Sequence, residues 1–428
     1  MTKAWRLFIC LLIVLVLPTV RVACAAEFSL WPYAEVDEAY DDNVRETSSN
    51  KKGDFLTVES LGATLEAEAP ARSFFLTYTA TMIEHASYPN EDSFGQDNYV
   101  GLQDTERLSA NTTLSISESF LVGNAVSGSF VTSGSTPIGS QLLSSILFHS
   151  ATLSNVFAAN LTSRYSDSFT WSADVHQSFF STLSNTPATS AVSGFAASKE
   201  NFNQGGMLAG DWNLGERFTA GGGCEFDDFR FSNSNVPTTE AEWPQARVGW
   251  GAGTPFSILA QIGPIISQSS SGMVGTTHEA AKNKVDFGYL ITASYTDRRL
   301  RLAATAGQIP QLSAGLGGFS TSQTYAALIQ YKLSRRATVF ANFGFFGISG
   351  TGISTDVLTY TGGVSYRLAQ MFTVTAQYLG YQTIGGGSTS GIATTGTGTV
   401  IAVPKGTTVT NLFMIGVIVT PLPLKWRL

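Results

Sequence analysis

Hydrophobic and polar residues alternate with a period of two over most of this chain. Between positions 284 and 306, apolar side chains occupy every second position from Val285 to Tyr295, and after a short turn at 296–298 they do so again from Leu300 to Ala306. Successive side chains of a β-strand point to opposite faces, so this pattern predicts two strands, each with one apolar face, joined as a hairpin. The same unit returns at 325–345 and at 358–378.

Eight hairpins of this kind can be placed along the chain, with one more strand before them and one after them. We therefore predict an all-β fold, a transmembrane antiparallel β-barrel of about eighteen strands, or sixteen if the hairpin at 98–121 is misassigned. Short turns are expected near 69–72, 110–111, 165–168, 213–216, 251–255, 296–298, 334–336 and 369–370. Longer loops are expected at 41–54, 89–96, 123–144, 182–199, 269–283, 310–322 and 383–406. Short turns at one end and long loops at the other are typical of such barrels.

The last strand is expected at 407–419, followed by a short tail. Assembly signals of outer-membrane proteins usually end in an aromatic residue, whereas here Trp426 lies two positions before Leu428, and Pro421 and Pro423 follow the strand. A tail beyond the final strand accommodates this difference. The expected partners are therefore outer-membrane lipids and the barrel assembly machinery.

The first 26 residues predict a secretory signal peptide. Lys3 and Arg6 precede an apolar run at 7–17, and small residues at 23–26 suit cleavage. A lipoprotein signal at Cys24 is the alternative, which Arg21 disfavours. Cleavage leaves Cys224 as the single cysteine, so no internal disulfide can form. The signal peptide would span residues 1–26 and one barrel domain residues 27–428, and the expected location is the outer membrane of a Gram-negative bacterium.

Composition and charge agree with a barrel that faces lipid. The chain is 43% hydrophobic and only 13% charged, whereas about 25% charged residues is usual in soluble proteins. Removal of the leader changes the formal net charge from −7 to −10, and an acidic chain is a poor partner for nucleic acid. No later segment approaches the roughly 18 to 20 unbroken apolar residues of a spanning helix.

Short motifs at the strand ends resemble one outer-membrane family. These are Tyr40-Asp41-Asp42-Asn43 after the first strand, Asp54-Phe55 at the start of the second, and the Tyr-Lys/Arg-Leu endings at Tyr331 and Tyr366. They are similar to the beta-barrel porin 2 family, whose members often accompany exopolysaccharide production. The resemblance covers the N-terminal hairpins and the C-terminal repeats, and Leu61-Gly62 replaces an expected Pro-Gly. It implies a pore or export barrel.

Polar residues with inward parity are the candidate lumen-lining groups. They could set ion or sugar selectivity, or they could simply keep the lumen hydrated. The set comprises Asp174, His176, Glu225, Asp227, Asp286, Arg299, Arg301, Gln330, Lys332, Asn342 and Gln377.

His176 raises the question of catalysis because it shares a strand face with Asp174 and Ser178. Residues two apart on one strand lie about 7 Å apart, too far for a nucleophile and its base to share a hydrogen bond unaided. None of the four histidines lies in a metal-binding spacing such as H-x-x-x-H. The acidic residues Asp37, Glu38, Asp41 and Asp42 could hold calcium, but a solvated acidic rim is favoured because their spacing is irregular.

The sequence therefore predicts an outer-membrane pore that is not an enzyme and needs no cofactor or metal. Its solutes would be small molecules or an exopolysaccharide. Two other classes stay open: a structural or adhesive barrel whose long loops carry the function, and a barrel-embedded lipid hydrolase, which would need a hydroxyl within hydrogen-bond reach of His176.

Overall fold

The fold is given by a computed structural model of the chain. It describes residues 26–43, 51–87, 93–123, 152–182, 200–231, 238–251, 253–274, 277–312, 319–350, 353–385 and 406–427. Residues 1–25 of the predicted signal peptide and the central parts of the predicted loops lie outside these residues. No helix within the described residues is long and apolar enough to cross a membrane.

The described residues form 21 β-strands. In chain order the first eleven are β1 (Glu27–Asp41), β2 (Asp54–Ala69), β3 (Arg72–His85), β4 (Ser93–Arg107), β5 (Thr112–Gly123), β6 (Thr152–Ser166), β7 (Phe169–Thr182), β8 (Glu200–Asn213), β9 (Phe218–Phe231), β10 (Thr239–Trp250) and β11 (Phe256–Ser269). The next ten are β12 (Gly272–Val274), β13 (Thr277–Glu279), β14 (Lys282–Thr296), β15 (Leu300–Leu312), β16 (Phe319–Lys332), β17 (Ala337–Gly350), β18 (Ile353–Arg367), β19 (Phe372–Gly385), β20 (Gly406–Val419) and β21 (Leu424–Arg427).

Eighteen long strands close into one antiparallel barrel. Each pairs with the next along the chain, with β11 passing directly to β14, and the ring closes where β20 pairs with β1. The two short strands β12 and β13 pair only with each other, as a hairpin within the connection from β11 to β14. The prediction of about eighteen strands is confirmed, and the fallback of sixteen is not needed. Closure leaves no open sheet edge, the condition for spanning hydrocarbon with strands.

The eight predicted short turns all lie at one end of the barrel. The turns after β2 and β6 are the shortest of the eight, with only residues 70–71 between β2 and β3 and residues 167–168 between β6 and β7. At the opposite end, three loop predictions need correction, the first because residues 93–96 of the predicted loop at 89–96 belong to β4. In the predicted loop at 310–322, residues 310–312 continue β15 and residues 319–322 belong to β16, so most of it is strand. In the predicted loop at 269–283, residues 272–274 and 277–279 form the β12–β13 hairpin. Pro310 and the serines and threonine of residues 320–322 suggested a loop from composition, whereas pairing between β15 and β16 extends both strands.

The two faces of the strands differ as the alternation predicts. Large apolar side chains on the outward face are exposed, among them Phe287, Ile329 and Ile415. Aromatic residues border this surface at the turn end, where Trp250 contacts Phe256 with ring centroids 5.6 Å apart. Three tyrosines next to short turns belong to the same belt and are outward and at least partly exposed: Tyr295, Tyr331 and Tyr366. The outward face is therefore apolar between two aromatic borders, as in a barrel that sits in lipid.

A second aromatic border lies toward the loop end. The rings of Tyr325 and Phe345 are 5.7 Å apart, and those of Tyr378 and Phe413 are 4.8 Å apart. Beyond it the outward face becomes polar, where Asp228 accepts hydrogen bonds from Gln204 at 3.2 Å and Arg230 at 2.7 Å. The apolar surface is thus a band rather than a whole face.

The chain ends at the barrel seam. β20 pairs with β1 over Ala34 to Asp41, and after residues 420–423 the short strand β21 pairs with the start of β1, with Leu30 opposite Leu424. Trp426 stacks on Phe28 with ring centroids 5.7 Å apart. The predicted final strand and tail are both present, and the tail extends the seam toward the turn end.

Candidate functional site in the barrel lumen

The strand register assigns the predicted lumen residues to one face. Asp174 on β7 lies opposite Met207 on β8, which lies opposite Glu225 on β9, and His176 is connected in the same way through Gly205 to Asp227. Following the register onward places Asp286, Arg301, Gln330, Lys332, Asn342 and Gln377 on the same inward face. The prediction that Arg299 has inward parity within a strand needs correction, because Arg299 lies in the exposed turn between β14 and β15.

His176 joins three strands through hydrogen bonds. Its Nδ1 lies 2.9 Å from Asp174 Oδ1 on its own strand, and its Nε2 lies 2.9 Å from Asp227 Oδ1 two strands away. Asn203 Nδ2 donates to the same Asp227 oxygen at 3.1 Å. The side chain of Asp227 is only 5% exposed, whereas that of His176 is 24% exposed and reachable from the lumen. We call Asp174, His176, Glu225 and Asp227 the lumen cluster.

The contact between Asp174 and His176 is one that the sequence analysis did not predict. The spacing of two residues, which argues against a hydrogen bond between Ser178 and His176, still allows the side chains of Asp174 and His176 to lean along the strand and meet at 2.9 Å. Across strands the contact depends on Gly205, because a Cβ at that position would collide with both His176 Nε2 and Asp227 Oδ1. A side chain on β8 would therefore separate the two partners.

The geometry does not favour the hydrolase alternative. Among the described residues, the hydrogen-bond partners of both ring nitrogens of His176 are carboxylates, and the hydroxyl of Ser178 is not one of them. A serine nucleophile would need a direct hydrogen bond to the imidazole that accepts its proton.

Strand β10 supplies lumen residues that the sequence analysis missed. Gln245 Nε2 lies 3.5 Å from Glu225 Oε2, and Arg247 forms an ion pair with Asp211 at 3.3 Å. Trp243 is 2% exposed on the same face. In most strands of this barrel the outward residues are apolar, but on β10 Glu240 and Glu242 point outward. Pro244, also outward, further obscures the alternation of polar and apolar residues. The inward polar and charged groups could have been found only by following the register from β9.

The remaining predicted residues lie apart from the lumen cluster. Asp286 pairs with Lys284 at 2.7 Å, and Gln377 Nε2 lies 3.6 Å from Met414 Sδ. Toward the turn end, Arg301 and Lys332 are exposed on the inward face, with Gln330 opposite Arg301. The inner surface thus carries carboxylates at the lumen cluster and cationic groups near the short turns.

An aromatic patch faces the lumen on β1 and β4. Trp31 is 41% exposed and donates from Nε1 to Glu66 at 3.0 Å, and Tyr99 is 39% exposed. Tyr33 lies over Gly62 and is hydrogen-bonded to Thr79 on β3. Such large exposed rings are typical of the outward face of this barrel, so their position on the inward face is unusual.

The predicted acidic rim and Cys224 have simpler environments. Strand alternation separates Asp37 and Asp41, which point inward, from Glu38, which points outward and contacts Thr57. Asp42 instead accepts hydrogen bonds from the backbone N and Nδ2 of Asn411, both at 2.7 Å. These four residues therefore do not converge on a calcium site. Cys224 is free and exposed, and its position opposite Leu208 places it on the outward face.

Comparison with known proteins gives structural similarity at low identity. No family model matches the chain and no curated protein matches it, so the resemblance to the beta-barrel porin 2 family stays a prediction. Similar solved structures include Pseudomonas aeruginosa OccK2 (OpdF) in complex with glucuronate, at 12% identity and a TM-score of 0.42, covering 93% of this chain and 98% of that one. Pseudomonas aeruginosa OpdQ has 9% identity and a TM-score of 0.39, covering 94% and 98%, and Acinetobacter baumannii OccAB4 has 10% identity and a TM-score of 0.40, also covering 94% and 98%. At these values, function has to be argued from the residues of this chain.

Proposed function

We propose that the protein is a passive outer-membrane pore for small hydrophilic solutes. The observation that carries this proposal is the contrast between the two faces of one closed barrel. The outward face has an apolar band with aromatic borders, whereas the inward face carries charged and amide side chains on β7 to β11 and β14 to β19. An apolar exterior fits lipid, and a polar interior holds water and dissolved ions.

The lumen charges support selectivity for cations at the lumen cluster. Asp174, Glu225 and Asp227 face one imidazole, and Arg247 on the neighbouring strand is paired with Asp211. An excess of carboxylates on a pore wall attracts cations and repels anions. The cationic groups near the short turns would act at the mouth on the turn end of the barrel.

The aromatic patch supports a saccharide as one class of solute. Trp31 and Tyr99 offer flat apolar faces to the lumen, and Glu66 provides acceptor oxygens beside Trp31. Aromatic faces next to a few polar groups are a usual composition of ligand sites. Export of an exopolysaccharide is the more specific form of this proposal.

Single-channel recording of the refolded mature protein in planar bilayers tests the pore. We expect stable current steps, a reversal potential in a KCl gradient that indicates cation preference, and block by soluble oligosaccharides. Folding is verified separately by the heat-dependent shift of the band in SDS gels. A folded protein that carries no current would refute the pore and favour a structural or adhesive barrel.

A matched pair of variants tests the aromatic patch. We expect Trp31→Ala combined with Tyr99→Ala to weaken oligosaccharide block at least tenfold while the open-channel current persists. Tyr78→Ala is the control, because Tyr78 is an exposed ring on the outward face of β3, where it bonds Asn98 at 2.8 Å. Equal block in all three proteins would show that the patch does not bind sugars.

A further inference from the structure

The lumen cluster brings three potential metal ligands together. One ligand atom each from His176, Glu225 and Asp227 lies within 4.8 Å of the others. The histidine comes from β7 and the two carboxylates from β9, so the grouping depends on the barrel register and on the absence of a side chain at Gly205. These positions are 49 and 51 residues from His176 along the chain, which is why no short sequence motif reveals the grouping.

The groups around these ligands are arranged as they are in metal sites. Asp174 Oδ1 lies 2.9 Å from His176 Nδ1 and can accept its proton in a hydrogen bond, which leaves Nε2 directed at Asp227. A carboxylate that orients a histidine in this way is the usual outer partner of a metal-bound imidazole. Asn203 holds Asp227 at 3.1 Å and so fixes the second ligand.

Gln245 provides an independent observation. Its side chain is at the carboxylate of Glu225, and the residue is only 5% exposed, yet its Oε1 has no hydrogen-bond partner among the described residues. A buried amide oxygen without a partner is costly, because it loses its hydration without replacement. A cation held by Glu225 would supply that partner, directly or through a bound water.

The charge of the cluster also requires compensation. Three carboxylates surround one imidazole, and Arg247 is engaged by Asp211 rather than by the cluster. A divalent cation would offset this excess of negative charge. Imidazole combined with carboxylates favours a transition metal such as Zn²⁺, whereas Ca²⁺ and Mg²⁺ favour all-oxygen sites.

We propose that the lumen cluster binds one divalent transition-metal ion of the Zn²⁺ class through His176 Nε2, Glu225 and Asp227, with Asp174 as a positioning residue. On binding, Nε2 gives up any proton it carries to the solvent and donates its lone pair to the metal, while Nδ1–H stays bonded to Asp174. The metal remains reachable from the lumen because His176 is partly exposed.

Titration of the refolded, untagged mature protein in detergent tests this proposal without reference to current. We expect one equivalent of Zn²⁺ to bind in calorimetry, and one equivalent of Co²⁺ to give the visible absorption of a nitrogen- and oxygen-coordinated ion. His176→Gln and Asp227→Asn should each weaken binding at least 100-fold, and Asp174→Asn about 10- to 100-fold. A tenfold excess of Ca²⁺ or Mg²⁺ should not displace Zn²⁺.

Controls separate the site from general effects of charge and folding. His85→Gln and Asp286→Asn remove a histidine and a carboxylate elsewhere on the inward face and should leave affinity unchanged. Gly205→Ala should weaken binding by separating His176 from Asp227, whereas Gly222→Ala, whose added Cβ meets its nearest neighbour at an ordinary 3.4 Å, should not. The heat-dependent gel shift identifies any variant that fails to fold.

Three results would overturn the proposal. They are the absence of a saturable equivalent of Zn²⁺ on folded protein, unchanged affinity in both His176→Gln and Asp227→Asn, and displacement of Zn²⁺ by Ca²⁺ at equal concentration. None of them bears on whether the barrel conducts, since binding is measured in detergent. Conversely, a barrel that binds Zn²⁺ but carries no current would refute only the pore.

Discussion

Two neighbouring alanines offer a direct test of which face of the barrel meets lipid. Ala326 and Ala327 lie near the middle of β16 and are both exposed. Ala326 is inward, opposite Thr305 and Gly344, whereas Ala327 is outward, opposite Ala304 and Phe343. Substituting each with arginine changes the same residue to the same charge and differs only in the face on which the charge is placed.

The expected difference follows from the surroundings of each position. On the outward face, Ala327 lies between the aromatic borders marked by Tyr325 and Tyr331 on the same strand. An arginine near the midplane of a membrane costs about 2–4 kcal/mol, which lowers the folding equilibrium constant by about 30- to 900-fold. Ala326→Arg keeps its charge in the hydrated lumen, so its cost should stay within about 1 kcal/mol.

Urea titrations of both variants in phospholipid vesicles measure this difference. Folded fractions are read from the heat-dependent gel shift and from tryptophan fluorescence, and folding and unfolding branches must coincide. We expect Ala327→Arg to be destabilised by at least about 2 kcal/mol more than Ala326→Arg. Equal stability of the two variants, or the opposite order, would refute the assignment of the faces.

Three further predictions test other parts of the barrel. Cys224 should resist a charged thiol reagent in vesicles, whereas Ala326→Cys in a background without Cys224 should react. Trp426→Ala should destabilise the barrel by about 1–3 kcal/mol in the same urea assay, because it removes the stack that holds the tail on β1. Glu225→Gln should lower the ratio of K⁺ to Cl⁻ permeability in bilayers. Its control, Glu242→Gln on the outward face of β10, should leave that ratio unchanged. The same ratio in both variants would show that the selectivity arises elsewhere.

The sequence predicts the barrel well because the alternation of polar and apolar residues within each strand is enough to distinguish its outward face from its inward face. The alternation from Val285 to Tyr295 requires no knowledge of the neighbouring strand, and short turns such as 296–298 are punctuated by polar residues. The strand ends toward the long loops were predicted less well. Residues 310–312 and 319–322 are strand although their composition suggested loop, since pairing with the neighbouring strand extends them.

The lumen cluster could be predicted only in part. Parity correctly placed Asp174 and His176 on one face of β7, and Glu225 and Asp227 on one face of β9. Their convergence depends on the register of β8, which places Gly205 between them. A shift of β8 by one residue would put Gly206 there and turn every side chain of β8 to the other face of the sheet. The role of Gln245 was missed for a similar reason. Strand β10 carries Glu240 and Glu242 on its outward face, so its own pattern of polar and apolar residues does not show which face is inward, and only the pairing with β9 does.

Because β20 and β21 pair with β1, the barrel is a closed ring, and the first and last described strands are neighbours in it. Glu27 and Lys425 are 398 positions apart along the chain but lie side by side, with Lys425 Nζ 3.4 Å from the Glu27 carboxylate. Closure therefore waits for the two most distant described segments to meet, a non-local pairing that makes folding slow. Their proximity also means that a short linker from residue 427 to residue 27 would allow the chain to be opened at a loop instead. Such a circular permutant should form the same eighteen-stranded barrel, and the slow pairing that closes it should then involve the two strands next to the new termini.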